Sequence, residues 1–136
     1  MSHLEVLNTF KAKGLKITPQ RVEVLRFLEK NRIHPTAQRV YDHVVAKVGS
    51  VSFTTIYNTL HLLEEIGVIK RVVISENTTV YDVNTKPHGH FVCRNCGQIF
   101  DIDFRIFPGD LPGQVDTMQL IAYGICKECL NSTGSR

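Results

Sequence analysis

Two Cys-x-x-Cys pairs, Cys93/Cys96 and Cys126/Cys129, use every cysteine in the chain and constrain its fold more than any other feature. Each pair offers two thiolates from one tight turn, so a tetrahedral ion bound by all four clamps two distant segments together. With four protein sulfurs as ligands no position is left open for a substrate, which makes structural Zn(2+) the expectation. Two disulfides would use the same residues, and two redox pairs would need a strand-to-helix βαβ setting that neither motif has. The opening Met-Ser-His-Leu lacks the basic and apolar segments of an export signal, so a reducing, cytoplasmic setting is expected. No apolar run approaches the roughly 20 residues of a membrane span.

Charge is unevenly distributed. Residues 1–83 carry eleven Lys/Arg against eight Asp/Glu, whereas residues 84–136 carry five of each. A formal net charge of +3 does not establish nucleic-acid binding, but it directs the search to the first half.

That half reads as helices followed by a hairpin. Leu4, Leu7 and Phe10 mark a short amphipathic helix ending near Gly14, and Thr18-Pro19 supplies an N-cap with proline at the first helical position. The next helix runs to about residue 30 on Val22, Leu25 and Leu28. Thr36 can cap a third, with Ala37, Val40, Tyr41, Val44 and Val48 on one stripe. Gly49 breaks it, and Ser52 can cap a fourth in which Phe53, Ile56, Leu60 and Leu63 face the core. Gly67 ends that helix, and residues 68–74 and 79–83 read as strands around the polar turn 75–78.

Two amphipathic helices joined by a short Gly-containing turn and followed by a hairpin form a winged helix-turn-helix. A helix about 10–12 Å across fits the major groove of double-stranded DNA, where each base pair shows a distinct donor and acceptor pattern. The fourth helix is the expected reader, with Thr54, Asn58 and His61 on its polar face and Tyr57 on the shoulder. Lys70 and Arg71 near the hairpin are candidates for phosphate contacts. The bland alternative for Thr54, Tyr57, Asn58 and His61 is a solvated helix face.

The C-terminal half contains Phe91-Val92 leading into the first cysteine pair, a strand over 98–104, and a second over 118–125 that delivers Cys126. Thiolate-zinc binding would supply folding free energy to so small a core.

The stretches Leu15-Lys-Ile-Thr-Pro-Gln-Arg21, His34-Pro-Thr-Ala37, Thr54-Thr-Ile-Tyr57-Asn58 and His88-Gly-His90-Phe-Val-Cys93-Arg-Asn-Cys96-Gly97 closely resemble the ferric uptake regulator (Fur) family. The likeness extends over about residues 3–130 and is greatest to the peroxide-sensing, PerR-type branch. It implies an α+β homodimer: a winged-helix DNA-binding domain over 1–83, a hinge near 83–87, and a small α/β metal-binding dimerisation domain over 84–136. The partner would be an inverted-repeat operator, since a two-fold dimer matches a palindrome.

The resemblance also implies a regulatory metal held by three histidines and two aspartates, at positions that here are His34, Asp82, His88, His90 and Asp101. His88 and His90, two apart on an extended segment, point to one side. Asp82 closes the wing, Asp101 begins the facing strand with Asp103 as its competitor, and His34 comes from the loop before the third helix. Imidazoles and carboxylates suit Fe(2+) or Mn(2+) better than a thiolate site does. An ion bound by all five would select one arrangement of the two halves. In the resembled peroxide sensors a ligand histidine is oxidised, which here would be His34 or His88.

One segment departs from the family. Only fourteen residues, with Pro108-Gly109 and Pro112-Gly113, separate Asp103 from Met118, where relatives place a longer stretch with a helix. This segment reads as loop, with consequences for the dimer interface and without the Glu and His of an additional site. The alternative function is a regulator sensing iron, manganese or zinc level; the resembled iron sensors tend to have Glu where this chain has Asp101, and the resembled peroxide sensors have Asp. A metal-dependent hydrolase needs an open coordination position and a nearby general base, which no motif supplies. A zinc-stabilised interaction module without DNA binding is the remaining class.

Overall fold

Four helices open the chain: α1 (His3–Ala12), α2 (Pro19–Lys30), α3 (Ala37–Val48) and α4 (Phe53–Glu65). The structure is a computed structural model and describes residues 3–30, 34–84, 88–103, 108–116 and 118–133. The chain divides into two compact units, Met1–Thr85 and Lys86–Arg136. The hinge expected at 83–87 falls largely on residues 85–87, outside the described residues.

Capping chemistry sets the helix starts. Thr18, Thr36 and Ser52 each accept a hydrogen bond on the side-chain oxygen from the backbone N–H three residues on, at 3.2, 3.2 and 3.1 Å. After α1 and α4 the chain turns through Gly14 (φ 69°) and Gly67 (φ 82°), a left-handed conformation that costs glycine nothing. At both ends the two N–H groups that follow cap the last carbonyls: Gly14 to Lys11 and Leu15 to Phe10, then Gly67 to Glu64 and Val68 to Leu63.

The core of the first unit joins Val6 and Phe10 of α1, Val24, Leu25, Phe27 and Leu28 of α2, Val40 and Val44 of α3, and Ile56, Leu60 and Leu63 of α4. Three expected core residues lie outside it: Val22 is half-buried, Leu4 is 66% exposed and Phe53 41% exposed. An i, i+3, i+6 ladder drifts about 60° per step, so Leu4 falls off the face defined by Val6 and Phe10. On α4 the buried face is 56/59/60/63, with Thr59 inside; Phe53 lies on its edge, its ring 5.6 Å from Tyr41.

The wing follows as β1 (Lys70–Ser75) and β2 (Thr78–Asp82), antiparallel, with Lys70 opposite Asp82, Arg71 opposite Tyr81 and Val72 opposite Val80. The strand pairing extends to Ser75 and Thr78, so the turn is tighter than the expected 75–78, and Val68 and Ile69 join the core ahead of the strand. Val72 and Val80 are buried while Val73 is exposed, the alternation of a one-sided sheet.

The second unit is a three-stranded sheet ordered β4-β3-β5, from β3 (Gly89–Cys93), β4 (Ile99–Ile102) and β5 (Ile121–Gly124). β4 runs antiparallel to the central β3, and β5 runs parallel to it. Both outer strands are shorter than expected, and Phe104 lies outside the described residues. Among the described residues of 104–117 the regular structure is one 3-10 turn, Pro108–Asp110. A short helix α5 (Lys127–Thr133), absent from the sequence reading, ends the fold and carries Cys129.

Candidate metal centres and nucleic-acid interface

Parallel pairing of β3 with β5 places Cys93 opposite Gly124, so both Cys-x-x-Cys motifs leave the same end of the sheet. Sulfurs about 2.3 Å from a central zinc stand about 3.8 Å apart in a regular tetrahedron. Here Cys93 Sγ lies 3.8 Å from Cys129 Sγ, and Cys96 Sγ lies 3.9 Å from Cys126 Sγ. The four sulfurs all fall within 4.8 Å of one another, a fit for Zn(2+).

The local fold prepares one thiolate in advance. Backbone N–H groups of Cys96 and Cys126 donate to Cys93 Sγ at 3.4 and 3.3 Å, and they lower its pKa to about 6. Gly97 at φ 78° lets the knuckle turn back, its N–H donating to the Cys93 carbonyl at 2.9 Å. Cys129 is opposite in character. The Asn95 side chain pulls its pKa down, but the thiol contact with Cys126 and burial outweigh this and push it up to about 12. At Cys96 the Gln98 N–H lowers the pKa, while the Cys93 contact and burial raise it, with a net rise. Such a cluster binds four thiolates together only around a cation that displaces the remaining protons.

In the second unit, His88 and His90 present their rings to one side, with centroids 4.6 Å apart. His90 pairs with Asp101 across β3 and β4. His88 Nε2 and His90 Nε2 lie 3.4 and 3.7 Å from the same Asp101 Oδ1. Donors with metal bonds of about 2.1 Å stand about 3.0 Å apart at right angles and about 3.4 Å apart in a tetrahedron, so this cluster has metal-ligand dimensions. Both imidazoles are buried and the Asp101 side chain is 44% exposed. Asp103, the competitor, lies past the strand end and is exposed.

In the first unit, His34 Nε2 lies 3.4 Å from Asp82 Oδ2, with both side chains buried. The Tyr81 N–H donates to the Pro35 carbonyl at 2.9 Å, which lays the loop along β2 and brings His34 beside Asp82. His34 takes φ 57°, a left-handed conformation uncommon for a residue with a Cβ. Asp82 Oδ1 accepts the Asn84 N–H at 2.8 Å, which orients Oδ2. Each unit thus holds its own part of the expected ligand set.

On α4, Thr54, Tyr57, Asn58 and His61 are all exposed. Thr54, Asn58, His61 and Glu65 form one stripe at i, i+4, i+7 and i+11. Lys70 is half-buried, and Arg71 is exposed with its Nε 3.5 Å from Glu64 Oε2. His61 faces Glu65 at 3.2 Å and Glu64 at 3.9 Å. Sequence reading missed these two glutamates, although spacing from Tyr57 and Thr54 puts them on the expected reading face. It also missed the His43–Glu23 contact of 2.9 Å between α3 and α2, beside the Phe27 ring. Burial, then Tyr57, raise the pKa of the Tyr81 phenol; Arg71 opposes and Glu64 adds.

The sequence profile of the Ferric uptake regulator family matches residues 12–108. The peroxide-responsive repressor PerR of Staphylococcus aureus is 32% identical over 132 residues, covering 92% of this chain and 89% of that protein. The solved Helicobacter pylori ferric uptake regulator Fur has the same fold, at TM-score 0.74 and 24% identity, covering 93% of this chain and 91% of that one. The Campylobacter jejuni peroxide stress regulator is similar at TM-score 0.64 and 29% identity, covering 95% of this chain and all of that one.

Proposed function

Since the chain belongs to the ferric uptake regulator family, whose members are DNA-binding, metal-responsive regulators, we propose that it is a metal-dependent transcriptional repressor. In this reading it responds to peroxide through Fe(II)-catalysed oxidation of one of its own ligand histidines. The carrying observation is the convergence of His88 Nε2 and His90 Nε2 on Asp101 Oδ1: His90 and Asp101 face each other on paired strands and His88 lies just before β3. Such a donor set suits redox-active Fe(II) and also admits Mn(II). Aspartate rather than glutamate at 101 favours the peroxide-sensing branch.

The proposed ligands are His34, Asp82, His88, His90 and Asp101. Fe(II) held by these residues would supply the one-electron reduction of peroxide that Mn(II) would not. His34 and His88 would supply the rings within reach of that oxidant, and the Nε2 of each lies 3.4 Å from a proposed carboxylate ligand, a spacing that two donors of one ion can have. An oxidised ring would be a poorer ligand, so these residues would hold the ion less tightly and the DNA-competent population would fall. Thr54, Tyr57, Asn58 and His61 are the proposed base-reading residues, with Lys70 and Arg71 toward the phosphates. The operator is an inverted repeat read by a homodimer in the cytoplasm. An apolar groove of about 490 Å³ in the second unit, lined by Phe91, Phe100, Ile102 and Ile125, supports self-association there. No helix among the described residues is long and apolar enough to cross a membrane.

The test compares Fe(II)-loaded and Mn(II)-loaded protein on an operator duplex before and after a brief peroxide pulse. Release from the iron form alone, with one oxygen added to the peptide holding His34 or His88, is expected. Equal retention by both forms would favour the alternative, a regulator of metal level, which the same donor set also serves. Release with oxidation confined to Cys93 or Cys96 would move the switch to the zinc thiolates.

A further inference from the structure

The DNA-reading face of α4 ends in carboxylates. Glu64 lies seven residues from Tyr57 and Glu65 seven from Asn58, so each repeats an exposed reading position two turns on. Glu64 Oε2 holds Arg71 Nε at 3.5 Å and Glu64 Oε1 lies 3.9 Å from His61 Nδ1, while Glu65 Oε1 takes His61 Nε2 at 3.2 Å. Arg71, a proposed phosphate contact, and His61, a proposed reading residue, are therefore already matched with carboxylates. These side chains are 29–62% exposed, so the pairs contribute little to folding and open readily.

We propose that Glu64 is a specificity-determining residue that holds Arg71 back from the phosphate backbone, so that arbitrary DNA binds weakly and only a sequence that engages Thr54, Tyr57 and Asn58 repays opening the pair. Backbone affinity is sequence-independent, whereas base contacts are not. Lowering the first raises the ratio of specific to non-specific binding. Glu65 acts on His61 in the same sense. This inference rests on the DNA-binding reading and adds to it the device that suppresses wrong partners.

The test uses full-length Mn(II)-loaded protein, an arbitrary duplex, and an operator duplex selected by the parent from a random library. One freed phosphate contact adds about 0.9 to the slope of log affinity against log salt, or about fivefold in affinity near 0.15 M. Glu64→Gln is expected to tighten binding to the arbitrary duplex several-fold, steepen its salt dependence, and lower the ratio of specific to non-specific affinity. In an Arg71→Ala background the same change is expected to do far less, because the arginine that Glu64 holds at 3.5 Å is gone. Glu29→Gln, which removes one negative charge from α2, serves as the net-charge control. An unchanged salt slope, an undiminished effect without Arg71, or an equal effect from Glu29→Gln would overturn the proposal. Failure of the parent to bind either duplex would sink the DNA-binding reading itself.

Discussion

Cys93 stands opposite Gly124 in the parallel register of β3 and β5, and that pairing brings the two Cys-x-x-Cys motifs to one end of the sheet. The absence of a side chain at 124 belongs to the same arrangement. A Cβ there would stand 3.2 and 3.3 Å from two ring carbons of Phe91. Phe91 in turn packs against the buried cysteines.

Gly124→Val is therefore expected to push the Phe91 ring and strain the pairing that holds the cluster. Overpacking of this kind costs about 1–3 kcal/mol. The variant is expected to melt lower and to lose zinc to a chelator sooner, with Gly124→Ala in between because a partly buried ring can yield a few tenths of an ångström. Parent-like melting and chelator resistance in Gly124→Val would show that the ring moves freely.

Zinc affinity is expected to rise with pH. Above about pH 6 Cys93 is a thiolate before the ion arrives, whereas Cys129, near 12, and Cys96, raised above its ordinary value, are thiols at neutral pH. Binding must then expel at least two protons, giving roughly 100-fold in affinity per pH unit across neutrality. Below about 6 Cys93 must also lose a proton, so the dependence steepens and zinc-dependent stability is lost on the acid side. Competition with a chelator at several pH values measures the slope; a flat profile would contradict this proton count. Cys126→Ser, which removes one ligand, is expected to lose both zinc and dimer.

Much of this architecture is legible in local chemistry. Thr18, Thr36 and Ser52 sit one residue before their helices because an N-cap needs only its own oxygen and the next turn. The thiolate cluster is legible because a Cys-x-x-Cys pair carries its geometry with it. Legibility fails where long-range geometry decides. Leu4 and Phe53 satisfy a three-residue spacing, but the buried face of each helix is set by its neighbours, which select Val6 and Thr59 instead. The Glu64–Arg71 pair spans a helix and a strand, and the turn between them decides whether they meet. Strand ends moved inward for a similar reason: β5 stops at Gly124, where the chain must turn to present Cys126.

Tyr57→Ala and Asn58→Ala are expected to weaken binding to the selected operator while leaving both metals bound. Their side chains are exposed and lie outside the α4 core face of Ile56, Leu60 and Leu63. Losing a good base contact costs about 1–3 kcal/mol of discrimination, or roughly 5- to 150-fold. Binding to an arbitrary duplex should change far less. Full sequence preference in both variants would place the reading surface elsewhere.

His34 offers the separation of sensing from scaffold. Its ring lies 3.4 Å from Asp82, and its backbone is held at φ 57° beside the bond from the Tyr81 N–H to the Pro35 carbonyl. Alanine removes the ring but also takes a left-handed conformation it disfavours, so some stability is lost for reasons unrelated to metal. Asparagine tolerates that conformation and supplies the cleaner variant. His34→Asn is expected to retain the four-thiolate zinc, the dimer and the parent's metal-free DNA affinity, yet to lose most of the gain in operator affinity on adding Mn(II). His34→Ala should lose the same gain with a lower melting temperature. The Mn(II) titration, zinc content and molecular mass together distinguish a lost regulatory ligand from a damaged fold. An undiminished metal response in His34→Asn, with zinc and dimer intact, would remove His34 from the regulatory set and leave His88, His90 and Asp101 as its centre.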